Sequence, residues 1–163
     1  MKEIIKKFSG EVIDKLDEGA IKIMKNSSSL AIRLSFSIIF IWFGLLKPLH
    51  LSPAEDLLKA TVAWLPFGSP ENWLLIIGWW EVLIGICFLF KKTTRLAIIL
   101  LLTQMVGTFM PLVFLPLVTF QSNNILLPTL EGQYIIKNLI IISAALVLGG
   151  EINRQKKQEI KYK

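Results

Sequence analysis

The sequence predicts an all-α membrane protein, a four-transmembrane-helix bundle, because three features agree. Apolar residues make up 53% of the chain, and the mean hydropathy is +0.60. Four long apolar runs lie close to the length of about 17–25 residues that spans a bilayer, at residues 30–46, 73–90, 96–120 and 134–149. The charged residues form blocks between these runs, which is typical of a polytopic membrane protein rather than a soluble core. A length of 163 residues indicates one such domain.

The elements before and after the spans follow from charge and periodicity. Residues 1–27 are predicted to form an amphipathic inner-surface helix, residues 28–150 the four-span bundle, and residues 151–163 a basic cytoplasmic tail. In the first segment, apolar residues recur about every four positions among charged ones, which gives a helix one apolar side. A solvated helix leading into the first span is the alternative. The polar run at residues 26–29 is expected to end this helix and to cap the first span.

Two features modify the loops and the third span. Ser52-Pro53-Ala54-Glu55 is a capping box with proline at the first helical position, so a short outer interfacial helix is predicted up to about Leu65. Pro111 and Pro116 lie within the third apolar run. Because proline removes a backbone donor and clashes with the preceding turn, the outer third of this span is expected to bend or to leave the helical path.

The distribution of Lys and Arg predicts the orientation. These residues precede the first span, separate the second from the third and follow the fourth, whereas the loop between the third and fourth spans has none. The positive-inside rule then predicts a multi-pass protein of a bacterial inner (cytoplasmic) membrane with both termini in the cytoplasm. The net charge of +6 is explained by this topology and by attraction to lipid headgroups. The basic residues form no continuous stripe, so nucleic acid is not an expected partner.

Two ionisable residues, Glu81 and Lys137, lie inside apolar runs. A charge at that depth costs about 2.5–3.5 kcal/mol on insertion scales, so such residues pair, line a cavity or carry a function. At 1.5 Å per helical residue, their depths differ by about 4–5 Å, which side chains can bridge. We therefore expect Glu81 and Lys137 to meet inside the bundle, and they are the candidate catalytic residues. An ion pair that only fixes helix packing is the alternative.

Each predicted span carries a narrow line of polar or small residues on one helical face, which indicates that the four faces meet in a polar seam. These lines are Arg33, Ser37, Phe40, Gly44 and Lys47; Gly78, Glu81 and Gly85; Gln104, Gly107, Thr108 and Pro111; and Tyr134, Lys137, Ile141, Ala144 and Leu148. Candidate ligand-binding residues are drawn from these lines and their neighbours: Arg33, Lys47, Trp79, Trp80, Gln104, Tyr134 and Asn138.

The sequence offers no recognisable set of metal or haem ligands. Cys87 is the single cysteine, so an internal disulfide and C-x-x-C redox chemistry are excluded. His50 is the single histidine and has no second histidine, cysteine or acidic partner at ligand spacing, so no metal site is predicted. Haem ligation by two histidines of one chain is likewise excluded.

Three short patches resemble the DoxX superfamily of small four-span membrane proteins. Residues 33–47 look like its first helix, with an arginine, an aromatic-rich turn and a G-x-x-K ending at Lys47. Residues 78–97 look like its second helix with a glutamate, followed by the T-R-L-A entry to the third. Residues 131–139 are similar to the G-x-(aromatic)-x-x-K-(Asp/Asn) stretch of its RclC-type branch. Many members have histidine where this chain has Phe43, so no role of that histidine is carried over.

This resemblance covers about residues 30–150 and implies that Arg33, Lys47, Glu81 and Lys137 are functional positions. DoxD-type relatives are subunits of a thiosulfate:quinone oxidoreductase, and some members assemble with soluble redox enzymes in oxidative-stress defence. We therefore expect a quinone-linked redox or oxidative-stress-defence subunit in the lipid bilayer, with quinone as its ligand, no covalently bound cofactor, and a membrane or soluble redox partner protein.

Other functions stay open at this point. A non-catalytic membrane scaffold or assembly subunit is the main alternative. A small-solute transporter is a further one, although no inverted repeat is evident in the sequence. A homo-oligomer is compatible with each of these functions, and whether the chain is an enzyme by itself is left open.

Overall fold

A computed structural model describes the backbone of residues 2–161 and the side chains of residues 13–122 and 124–152. The fold is all-α as predicted, with 81% of residues helical and no strand in the described part. Its helices are α1 (Lys2–Leu46), α2 (Glu55–Val62), α3 (Pro70–Leu89), α4 (Thr94–Phe114), α5 (Pro116–Thr119) and α6 (Leu130–Lys161), with a short 3-10 turn at Gln121–Asn123.

Four of these helices are long and apolar enough to cross a membrane, and each corresponds to one predicted span, although the third ends at Phe114 and not at Phe120. Their apolar segments are Ile13–Leu46, Pro70–Leu89, Thr94–Phe114 and Leu130–Ile152. Each exceeds or matches the length of about 20 residues that the hydrocarbon layer requires. The chain is therefore a multi-pass integral membrane protein, and the orientation of its termini stays a prediction.

The chain forms two compact units, Met1–Ile32 and Arg33–Lys163, and α1 contributes residues to both. Within the first unit, α1 is helical through Asn26–Ser29, so the predicted break there is wrong. Asn and Ser have only modestly lower helix propensity than Ala, by about 0.7 kcal/mol or less, and a long helix tolerates them. The side chains of residues 2–12 and of most of the basic tail lie outside the described part, so the surface helix and the tail stay predictions.

In the second unit, consecutive membrane-spanning helices run antiparallel. Arg33, in α1, contacts the last residues of α3, whereas Gly44, near the end of α1, packs on Gly78 in the first half of α3. The turn at residues 90–93 then reverses the chain into α4. Thus α1 ends, α3 begins, α4 ends and α6 begins at one end of the unit, which we call the α2 end because α2 connects α1 to α3 there.

Glycine allows α1 and α3 to cross at close range. A β-carbon added to Gly44 would lie 2.9 Å from the carbonyl oxygen of Gly78, and one added to Gly78 would lie 2.9 Å from the Lys47 β-carbon. Further along, a β-carbon on Gly85 would lie 2.8 Å from the backbone nitrogen of Ile41. Small residues are the means by which membrane helices approach closely. Here they bring the backbone beside Lys47 onto the backbone beside Glu81.

The loops near the α2 end follow the sequence signals only in part. Helix α2 covers Glu55–Val62, with Ala54 as its N-cap residue. The predicted capping box is not formed, because the Glu55 carboxylate accepts hydrogen bonds from His50 and Lys59 instead. The prediction for the third apolar run is confirmed: α4 contains Pro111 and ends before Pro116, which begins the separate helix α5.

Helix α6 packs through a different face from the predicted one. Gly132 lies against the Thr119 backbone, where a β-carbon would overlap the Thr119 carbonyl oxygen. Further along α6, Ile135, Ala145 and Leu148 are also buried. Close approach at Gly132 therefore fixes the rotation of the first turns of α6, so Tyr134 and Lys137 of the predicted line are turned away from the core, whereas Leu148, at its other end, is buried as expected.

Candidate functional site

The membrane-embedded carboxylate of Glu81 is enclosed by two side chains from neighbouring helices. The Lys47 ammonium, just after the end of α1, donates a hydrogen bond to Oε2 of Glu81 and forms an ion pair with it. The Gln104 amide, on α4, donates to Oε1 at 2.6 Å. The Lys47 and Glu81 side chains are only 8% and 14% exposed. These three residues, which we call the Glu81 site, join α1, α3 and α4.

The partner of Glu81 differs from the predicted one. Lys137 was expected to meet Glu81, but its side chain is exposed, and the described residues include no salt bridge to it. Lys47 forms the ion pair instead, because the Gly44–Gly78 contact draws the end of α1 onto α3. Gly44 lies one turn before Lys47, and Gly78 lies one turn before Glu81. These two glycines were the sequence feature that could have indicated the Lys47–Glu81 pair.

Burial makes the ion pair strongly dependent on both partners. A carboxylate and an ammonium removed from water each lose several kcal/mol of hydration, and their attraction offsets this loss only when the remaining polar atoms are also paired. Glu81 lies 11 residues into α3, about 16 Å from its first residue. At that depth an unpaired carboxylate could not reach the headgroup layer, so the contacts to Lys47 and Gln104 maintain the charged pair.

Two hydrogen-bonding positions of the Glu81 site are not filled. The Lys47 ammonium has three N–H groups, and among the described residues its acceptors are Glu81 and, at a long 3.4 Å, the Phe43 carbonyl. The buried Oε1 atom of Gln104 has no hydrogen-bond partner in the part of the chain that the structure describes. Buried polar atoms are nearly always satisfied in native proteins. The site therefore has an unused donor on one side of Glu81 and an unused acceptor on the other.

Arg33, a candidate ligand-binding residue, lies at the opposite end of the unit and has a structural contact. Its Nε donates to the Phe88 carbonyl at 3.0 Å, and one terminal nitrogen donates to the Leu89 carbonyl at 2.6 Å. These are among the last carbonyls of α3, which have no partner within the helix. Arg33 thus caps α3 and ties it to α1, and the structure does not bring it to Glu81.

The two tryptophans next to Glu81 point in different directions. Trp79 is 56% exposed on the outside of the bundle. Trp80 is partly buried, and its indole nitrogen donates to the Leu100 carbonyl of α4 at 3.3 Å. Trp80 therefore joins α3 to α4, the two helices that carry Glu81 and Gln104, whereas Trp79 faces the surroundings of the bundle.

The α6 candidates Tyr134, Lys137 and Asn138 lie apart from the Glu81 site. Tyr134 is 63% exposed, and the Lys137 ammonium lies 5.4 Å from the centre of its ring. Asn138 donates to carbonyls of its own helix, those of Tyr134 and Ile135, each at 3.1 Å. These residues were predicted to lie near Glu81 because their face of α6 was expected to point into the bundle. The contact of Gly132 with Thr119 turns Tyr134 and Lys137 away from it.

A second polar cluster lies at the α2 end. Lys59 bridges two carboxylates, contacting Glu55 and Glu71 at 2.6 Å each, and His50 Nδ1 lies 3.0 Å from Glu55. The hydrogen bonds of His50 and Lys59 lower the pKa of Glu55, and those of Glu55 and Glu71 raise the pKa of Lys59. The expectation that His50 has no acidic partner is wrong, because folding brings Glu55 and Glu71 to it.

This cluster has the donor types of a metal site but is organised around a lysine. Ligand atoms of His50, Glu55 and Glu71 lie within 4.8 Å of one another. Both carboxylates already contact the Lys59 ammonium, which supplies the positive charge between them. A network of ion pairs between α2 and the start of α3 is the simplest chemical description of the cluster.

No family model, no curated protein and no solved structure matches this chain. The site is therefore interpreted from its own geometry. A buried carboxylate, an ammonium with a free N–H and an amide with a free oxygen can together hold a small polar group and exchange protons with it.

Proposed function

We propose that the chain is the membrane subunit of a quinone-linked redox or oxidative-stress-defence system, and that the Glu81 site binds the quinone headgroup. The observation that carries this proposal is the pair of unfilled hydrogen-bonding positions beside a buried carboxylate, on Lys47 and on Gln104. The resemblance of residues 30–150 to the DoxX superfamily supports the same ligand class.

A quinone headgroup fits the chemistry of these positions. A quinone carbonyl accepts a hydrogen bond, as the free N–H of Lys47 requires, and the hydroxyl of its reduced form donates one, as Oε1 of Gln104 requires. Reduction of a quinone to a quinol takes up two electrons and two protons. Lys47 and Glu81, which form a buried ion pair, would hold and pass the protons at the ligand oxygen. The electrons come from a redox partner protein, in line with the absence of a predicted cofactor-ligand set in the sequence.

The first test is the quinone content of the purified protein, extracted into solvent and measured by chromatography. Wild-type protein is expected to retain quinone, and Glu81→Gln is expected to lose it. Gln104→Leu removes one donor and one acceptor, so a loss of about tenfold in retained quinone is expected, equivalent to one hydrogen bond of about 1.4 kcal/mol.

Thr103→Val is the matched control for Gln104→Leu. Thr103 is the preceding residue of α4, is exposed, and donates only within its own helix, to the Ile99 carbonyl at 2.9 Å. Its replacement is expected to leave the quinone content unchanged. Equal quinone content in the wild type, Gln104→Leu and Thr103→Val would contradict quinone binding at the Glu81 site.

A non-catalytic scaffold is the second candidate function, and the close glycine crossing favours it. The Lys47–Glu81 pair lies directly on the Gly44–Gly78 contact, so it could serve only to fix how α1 crosses α3. If so, the double variant Lys47→Met/Glu81→Gln should retain both folding and partner assembly, measured by co-purification. Under the redox proposal, the same double variant folds but no longer supports quinone reduction in membranes.

A further inference from the structure

The half of α6 nearer the α2 end carries an exposed group of polar side chains that the Glu81 site does not use. Gln133, Tyr134 and Lys137 are all exposed and lie within an arc of about 100° on the helix. Among the described residues, none of their side chains forms a hydrogen bond or salt bridge, and only the Lys137–Tyr134 ring contact is recorded. We call these three residues the α6 polar face.

The depth of Lys137 makes this exposure chemically demanding. Lys137 lies seven residues after Leu130, the first residue of its membrane-spanning segment, or about 10 Å from that end. An ammonium at this level avoids hydrocarbon by extending its chain towards the interface. The ring of Tyr134, one turn nearer the α2 end, lies 5.4 Å from the ammonium and holds it in that direction.

We infer that the α6 polar face binds the phosphate of an anionic phospholipid. Each of its three side chains offers a donor: an ammonium, a phenol and an amide. Phosphate oxygens accept hydrogen bonds, and their negative charge would pair with the Lys137 ammonium, which forms no salt bridge among the described residues. Glu131, the nearest carboxylate along α6, points about 120° away from Lys137 around the helix and forms no salt bridge with it.

The residues below this face match the rest of a lipid molecule. Ile140 is 71% exposed and Val147 is 65% exposed, and both lie further along α6 within about 40° of Gln133 around the helix, whereas Leu148, which continues the side of Tyr134 and Lys137, is buried. Polar donors at the interface above branched aliphatic side chains reproduce the order of a phospholipid, headgroup first and acyl chains beneath. Branched side chains also hold a second helix at a distance, whereas close helix partners are usually met by small residues. This favours a lipid over a second protein helix as the occupant.

Native mass spectrometry of the full chain tests this inference. The protein is mixed with phosphatidylglycerol or with phosphatidylcholine of the same acyl chains, and the retained lipids are counted. Wild-type protein is expected to retain phosphatidylglycerol preferentially. Lys137→Met is expected to weaken its retention about fivefold, since one lysine near the membrane surface contributes about that factor for an anionic lipid. Tyr134→Leu should weaken it in the same direction.

Lys92→Met is the matched control, because Lys92 is exposed in the turn between α3 and α4 at the opposite end. It removes the same charge and should leave retention of the α6 lipid unchanged. Equal retention in Lys137→Met and Lys92→Met overturns the inference. A change in the number of protein chains per particle on Lys137→Met also overturns it, because a second chain would then cover the α6 polar face.

Discussion

Removing the positive partner of Glu81 should destabilise the protein more than removing its negative charge. In Lys47→Met, Glu81 keeps only the 2.6 Å hydrogen bond from Gln104, and its Oε2 atom has no partner about 16 Å inside the membrane segment. Breaking a buried ion pair in this way costs about 3–5 kcal/mol. For a protein of this size, that corresponds to a decrease in Tm of about 6–20 °C.

The structure predicts a smaller effect for Glu81→Gln. The new amide can accept from Lys47 through its oxygen and donate through its NH2 group to the unpaired Oε1 of Gln104, so both helix contacts are kept. The double variant Lys47→Met/Glu81→Gln leaves no buried charge, so its stability should return to within about 1 kcal/mol of the wild type. The two single changes are therefore expected to be strongly non-additive.

Thermal unfolding in lipid nanodiscs, followed by tryptophan fluorescence, measures all four proteins in one cycle. Retained helix content by circular dichroism confirms that each variant inserts and folds before its Tm is compared. The reasoning fails if Lys47→Met lies within about 1 kcal/mol of the wild type. Additive effects would also contradict it: if the double variant is destabilised by the sum of the two single destabilisations, the two charges do not interact.

Three further predictions concern helix crossing, helix capping and the cluster at the α2 end. Gly85→Ala places a β-carbon 2.8 Å from the α1 backbone and should lower the unfolding free energy by about 1–3 kcal/mol. Gly107→Ala is the control, because Gly107 has open space around it, and it should be neutral or stabilising by up to about 1 kcal/mol. Arg33→Met removes two charge-assisted hydrogen bonds at the end of α3 and should lower the unfolding free energy by about 1.5–3 kcal/mol, with Arg33→Lys recovering part of it. The pKa of Glu55 is lower in the folded protein than its ordinary value of 4.5. The stability that Glu55 adds is therefore present above pH 4.5 and is lost as the pH falls through the lower folded pKa. The difference in Tm between wild type and Glu55→Gln should accordingly vanish in acid. Because the pKa of Lys59 is raised, its contribution is complete below 10.5 and is lost as the pH rises through the higher folded value, which a Lys59→Met comparison in alkali checks.

The spans could be predicted from the sequence because their length and hydropathy depend on the bilayer alone. The prolines likewise ended the third span where their chemistry required it, with α4 ending before Pro116. The break expected at Asn26–Ser29 was wrong because Asn and Ser lower helix propensity only modestly, so a run of four does not stop a long helix.

The site was harder to predict because it depends on helix rotation. Glu81 and Gln104 were correctly placed on inward faces, but the partner of Glu81 was not. The distance of a residue from its helix end gives its depth but not the direction in which its side chain points around the helix. In the structure, the contact at Gly132 turns Lys137 outwards. Contacts that join distant segments, such as Glu71 meeting Lys59, leave no spacing pattern in a single sequence.

An experimental structure in lipid with added short-chain quinone tests the central claim most directly. Density for the headgroup is expected beside Glu81, with one ligand oxygen within hydrogen-bonding distance of Lys47 Nζ and, when the ligand is reduced to the quinol, a hydroxyl within hydrogen-bonding distance of Oε1 of Gln104. A Glu81 side chain that faces the acyl chains, or quinone density only at a site remote from Lys47 and Gln104, would contradict it.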